Sequence, residues 1–152
     1  MYKFHVPIVV RIVRFLSFLL SADLEGTVTV LGSQYYLYEV DIEDCTSLPC
    51  PLTIGHQYRI NMAIYANSES EILRQEVYLI LKSVYKKIDV TPDDPCNQIR
   101  CPVTNNLGVS FSALVTIDET LVPLEGELLW RLFNEDDAMV LCMRTDVVLQ
   151  TG

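Results

Sequence analysis

Downstream of residue 34 apolar and polar side chains alternate in short runs, the period-two signature of strands that bury one face. Over residues 35–42, Tyr36, Tyr38, Val40 and Ile42 fall on one face and Glu39 and Asp41 on the other. Over residues 57–66, Tyr58, Ile60, Met62 and Ile64 oppose Arg59 and Asn61. Residues 72–84 contain a run from Val77 to Leu81 that is apolar on both faces, with Leu79 and Leu81 on one of them. Its β-branched and aromatic content predicts a strand; a helix over residues 69–82 is the alternative, because Ile72, Leu73, Glu76, Leu79 and Ile80 partly fit a 3.6 period. Three further strands are predicted over residues 108–118, 125–133 and 138–149, and one upstream over residues 27–31. Polar turns at residues 67–71 and 134–137 separate them. About seven short strands with turn signals between them predict an all-β, immunoglobulin-like β-sandwich, antiparallel in two sheets.

Ahead of the strands the pattern differs. Residues 1–22 carry Lys3, Arg11 and Arg14, an apolar stretch over residues 15–20 and small residues at Ser21 and Ala22, as an atypical signal peptide would. An amphipathic helix is the alternative. The arginines interrupt the apolar run, so it is not a membrane span, which needs about 20 apolar residues. Residues 23–152 then form a single domain, a length that buries a core of its own.

Half of the residues are hydrophobic and a fifth are charged, with a net charge of -9. That balance excludes disorder, and the acidity excludes nucleic acid as a partner. No hydrolase, metalloprotease, phosphate-loop or EF-hand motif is present, so neither an enzyme nor a cofactor is expected. Adjacent acids at Asp93 and Asp94, and at Glu135, Asp136 and Asp137, read as solvated turns.

Four of the five cysteines form two tight clips, Cys45 with Cys50 and Cys96 with Cys101, each followed by a proline. In an oxidising compartment such neighbours are close enough to be bridged; in a reducing one the same spacing would suit zinc. Cys142 is the odd thiol. The second clip lies in residues 85–103, the longest segment without a continuous strand pattern, which is expected at one end of the sandwich.

The series Cys45-x4-Cys50-Pro51-Leu52-x2-Gly55-x2-Tyr58, then Asp94-Pro95-Cys96-x4-Cys101-Pro102, then Trp130-Arg131-Leu132 before Asp136-Asp137 and Leu141-Cys142 resembles the ML lipid-recognition family. It is most similar to the branch of Niemann-Pick type C lumenal sterol carriers and their secreted arthropod relatives, which include the group 2 mite allergens. The resemblance covers residues 27–149 and implies disulfides Cys45–Cys50 and Cys96–Cys101. It also implies two sheets that enclose an apolar cavity for a sterol or a fatty acid. The family's third bridge would join Cys142 to a cysteine where this chain has Leu31, so Leu31 and Cys142 are expected to face each other in the core.

By the same resemblance, sterol-facing positions fall on Ile88, Val115, Ile117 and Val122, with Phe111 as a further candidate. The inward apolar faces add Tyr58, Ile60, Met62, Ile64, Leu79, Leu81 and Trp130. The resulting expectation is a secreted, monomeric lipid carrier without a transmembrane segment. An endosomal or lysosomal lumen is the alternative location, and a membrane partner protein would hand over or receive the lipid. The competing reading is a protein-interaction module or co-receptor adaptor with incidental lipid binding.

Overall fold

The computed structural model describes residues 34–152 in full, with the backbone of two earlier strands, β1 (Tyr2–His5) and β2 (Thr29–Val30). The predicted cleavage region and Leu31 lie outside the described residues. The other strands are β3 (Tyr36–Ile42), β4 (Cys50–Thr53), β5 (Gln57–Ala66), β6 (Arg74–Leu81), β7 (Val84–Lys87), β8 (Val90–Thr91), β9 (Leu107–Thr116), β10 (Glu125–Phe133) and β11 (Met139–Gln150).

They form two facing sheets. One runs β1-β3-β5-β9-β8; the other runs β2-β11-β10-β6-β7, with β4 also beside β11. The long pairs follow from the alternation: β5 and β9 are antiparallel in unbroken register from Gln57↔Thr116 to Ala66↔Leu107. That register puts Tyr58, Ile60, Met62 and Ile64 on the buried side with Phe111, Ala113 and Val115. β10 pairs on both sides, with β11 and with β6, so its Trp130 sits at the centre of the second sheet opposite Met143 and Val77.

Residues 74–81 form a strand, as the β-branched content predicts, and no helix replaces it. Four strands exceed the sequence expectation: β1, β4, β7 and β8. β4 lies in the tail of the first clip and pairs in parallel with β11, from Val147↔Cys50 to Gln150↔Thr53. β7 is the return arm of a tight hairpin whose turn residues Lys82 and Ser83 both have positive φ, 48° and 66°. All four β7 residues are exposed, so no alternation marked it. Residues 85–103 are therefore not one long loop: the end of β7, the two residues of β8 and a 3-10 turn at Pro95–Asn97 divide them.

Both clips are disulfides, Cys45–Cys50 and Cys96–Cys101, with Cα separations of 5.1 and 5.5 Å. The acidic turns have structural work. Asp94 caps the 3-10 turn by accepting from Cys96 N at 2.9 Å. Asn134 Oδ1 accepts from Asp136 N and Ala138 N, each at 3.0 Å, which closes the β10–β11 hairpin. Among the described residues no helix is long and apolar enough to cross a membrane.

Candidate functional site

The inner faces of the two sheets meet in one apolar cluster that takes in nearly every predicted contact. Tyr58, Ile60, Met62, Ile64, Phe111, Val115 and Ile117 enter it from the first sheet, and Leu79, Leu81 and Trp130 from the second. Phe111 and Trp130 span the gap, with ring centroids 6.4 Å apart in an edge-on arrangement at 67°.

Ile88 lies where the chain leaves β7 in one sheet for β8 in the other, and its N–H donates to Val77 O at 3.0 Å. It is buried and belongs to the same cluster. Val122 does not: it is 61% exposed. Its turn is set by Asp118, whose Oδ1 accepts from Thr120 N and Oγ1 at 2.7 Å each. Leu121 and Leu124 on either side of Val122 pack against the core in its place.

The second clip closes one end of this space. Gln75 Nε2 donates to Pro92 O at 2.6 Å and Asp93 O at 3.0 Å, and Ser70 and Val103 exchange backbone hydrogen bonds at 3.0 and 2.7 Å. Ile99, inside the clip, and Val103, just past it, are buried in the core. Tyr35 hydrogen-bonds Ser70 there, and burial of its ring raises the phenol pKa above its ordinary value, outweighing the Ser70 bond.

Cys142 is in neither disulfide and is buried, but not in the main core. It belongs to a smaller cluster with Ile80 and Leu129, next to Tyr78 and Met139. β2 approaches this strand with Val30 opposite Met143. Cys142 is thus buried as expected, in this smaller cluster; Leu31, the other half of that expectation, lies outside the described residues.

Sequence reasoning missed several inward residues: Leu128, Leu132, Leu141, Met143 and Thr145 are all buried. The alternation within β10 and β11 held that signal, since the register places Leu128 opposite Thr145 and Leu132 opposite Leu141. A cleft of about 330 Å³ has a mixed lining, with Glu39, Asn61, Gln98, Ser110 and Ser112 beside Met62, Ala63 and Phe111, and it shares Met62 and Phe111 with the apolar cluster.

The family model described as "ML domain" matches residues 33–149. Similar proteins include the NPC intracellular cholesterol transporter 2 of Danio rerio, 23% identical over 110 residues, which span 72% of this chain and 74% of that protein. The Sus scrofa protein of the same description is 22% identical over 114 residues, 74% of this chain and 76% of that protein. Among solved structures, a Niemann-Pick type C2 protein from Japanese carpenter ant shares the fold with a TM-score of 0.73 at 14% identity, over 82% of this chain and 99% of that one. Chicken MD-1 complexed with lipid IVa shares it with a TM-score of 0.51 at 16% identity, over the same 82% and 99%.

Proposed function

The chain belongs to the ML-domain family, and from that premise we propose that it is a non-enzymatic lipid-binding and transport protein that holds its cargo between the two sheets. The observation that carries the reading is the continuous apolar interior, bridged at its centre by Phe111 and Trp130 and lined by side chains from both sheets. A sterol is the first cargo and a fatty acid the second. The similarity to proteins described as cholesterol transporters supports the sterol; the fold likeness to a protein complexed with lipid IVa supports acyl chains.

Binding replaces water around the lipid by this interior, at about 25 cal/mol per Å² of apolar surface removed from water. Selectivity then follows shape more than polarity. Entrance is beside the β7–β8 crossing, where buried Ile88 adjoins a strand whose four residues are all exposed. Two disulfides support an oxidising location, either secreted or inside an endosomal or lysosomal lumen. The working form is a monomer that exchanges lipid with a membrane partner.

A second reading, an interaction module, draws on the exposed Val84 and Tyr85 of β7, which are 65% and 53% accessible. Native mass spectrometry of protein purified from expressing cells, followed by displacement of a fluorescent sterol, separates the two. Bound lipid and saturable displacement support the carrier. Recovery without lipid and without displacement rejects it in favour of the module.

A further inference from the structure

Among the described residues β1 alone covers the outer edge of β3, whose other side pairs with β5 from Tyr36↔Tyr65 to Ile42↔Ile60. A strand paired on one side presents a row of N–H and C=O groups on the other, which an extended chain can satisfy. β1 lies within residues 1–22, the stretch whose sequence predicts a signal peptide. Removal of that stretch takes β1 with it and leaves β3 as the last strand of the first sheet.

This edge carries a pattern. Val40 and Ile42 are 0% and 1% exposed and face the core, while Glu39 and Asp41 are half-buried on the outer face. Across the ladder on β5 the residues opposite Glu39 and Asp41 are Ala63 and Asn61, neither of them charged. From the other side β1 brings the complement. Lys3 stands opposite Asp41 and His5 opposite Glu39, with Phe4 and Tyr2 opposite Val40 and Ile42. Opposite charges directly across a ladder are favourable and like charges are not. The net charge of -9 adds a general attraction for basic chains. Two other outer strands lack these features: β8 is two residues long, and β7 bears Lys86 and Lys87, which guard an edge against added strands.

We propose that the edge of β3 is a strand-addition site for an extended basic segment of a partner protein, with basic residues opposite Glu39 and Asp41 and apolar residues opposite Val40 and Ile42. In the uncut chain residues 2–5 hold the site; in the chain without residues 1–22 the partner takes their place. The site is an edge of the first sheet, so it does not depend on what the interior carries.

The probe is a fluorescent peptide of residues 1–7. The full chain, made in an oxidising cell-free reaction without membranes, keeps residues 1–22; the chain secreted by eukaryotic cells has its first residue read from the intact mass. The expected result is that the shortened chain binds one peptide saturably, with slower amide exchange in β3. The full chain, whose β3 is already protected, binds at least about tenfold more weakly, because the resident strand competes from within the same molecule. Reversing both charges of the peptide, Lys3→Glu with His5→Glu, weakens binding about tenfold below pH of about 6, where histidine is charged. Glu39→Lys with Asp41→Lys restores the reversed peptide.

Should the secreted chain keep residues 1–22, two full-chain variants take its place: Tyr2→Pro with Phe4→Pro, and Lys3→Pro with His5→Pro. Alternate N–H groups of β1 face β3, so one pair of prolines unseats the strand and the other faces solvent. Only one of the two variants is then expected to bind the peptide.

No saturable binding by any chain whose β1 is removed or unseated overturns the proposal, as does unchanged exchange in β3 with peptide bound. Equal affinity for the parent and charge-reversed peptides also overturns it, since the edge would then not select a basic segment. A shortened chain that dimerises and excludes the peptide assigns the edge to a second copy instead.

Discussion

The ring of Phe111, from the first sheet, meets the indole of Trp130, from the second, edge-on with 6.4 Å between centroids. Both residues are buried and their strands are held by long antiparallel ladders, so the contact ties the sheets at the middle of the interior. Phe111→Ala removes the contact and leaves a void that the ladders prevent from collapsing. It is expected to lower stability by about 3–5 kcal/mol in a urea melt. A loss below about 1 kcal/mol would mean that the sheets do not depend on this contact.

Gly126 shows how closely β10 approaches β6. A Cβ there would overlap the Ile80 carbonyl oxygen and lie 2.7 Å from Leu81 Cδ2. The oxygen is backbone in a paired strand and cannot swing aside. Gly126→Ala is expected to destabilise by about 1–3 kcal/mol, whereas Gly108→Ala, with nothing within 4 Å, provides the neutral comparison in the same melt. Equal midpoints for the two variants would contradict the close approach.

Each clip closes a short loop, with a sequence separation of 5. The chain-entropy relation assigns a loop of that size about 2 kcal/mol. Replacing Cys96 and Cys101 by serine is expected to cost about that much in denaturant, and to speed amide exchange at Ile99 and Val103, which the clip holds in the core. Unchanged exchange there would show that Gln75 and Ser70 hold the segment without the bridge.

Acidification should weaken the turns before the core. Asp118 is held below its ordinary value of 3.8 by the Thr120 hydroxyl first and the Thr120 N–H second. Glu135 is lowered by its own backbone N–H, then by those of Glu71 and Ile72. A carboxyl lowered in the folded state contributes stability that is fully present above its unfolded pKa and is lost as pH falls through the folded one. Urea midpoints are therefore expected to hold steady down to the ordinary carboxylate range and to decline below it. Asp118→Asn should show a shallower decline; an identical acid limb would remove Asp118 from the explanation.

Legibility in the sequence tracked strand length and burial. β5, β9, β10 and β11 bury one whole face, so alternation marked the strands, and the inward residues of β5 with them, while Trp130 alone was singled out in β10 and no inward residue in β11. β7 and β8 carry no such pattern, being fully exposed and two residues long respectively, and β4 is hidden by the proline that follows Cys50. Val122 failed for a local reason: its turn is capped by Asp118, and the side chains either side take the inward positions. Cys142 is expected in the core from the family's third bridge and is buried, but the pattern does not tell which of the two apolar clusters takes it, because β11 buries residues on both faces. Gln75 Oε1, Trp130 Nε1 and Thr145 Oγ1, buried without a hydrogen-bond partner, were illegible for another reason. A pattern gives the face a side chain takes, not the partner it lacks.

The central claim is that lipid enters the space between the sheets, and Trp130 reports on that space because it is fully buried and the sole tryptophan. Heavy-atom quenching by bromine acts near contact, so a side-chain-brominated sterol or a brominated fatty acid dims this emission only from inside. The expected result is a saturable loss of Trp130 fluorescence at one lipid per chain, reversed by the unbrominated lipid. Emission that stays constant to saturating concentrations of both brominated lipids would contradict the claim.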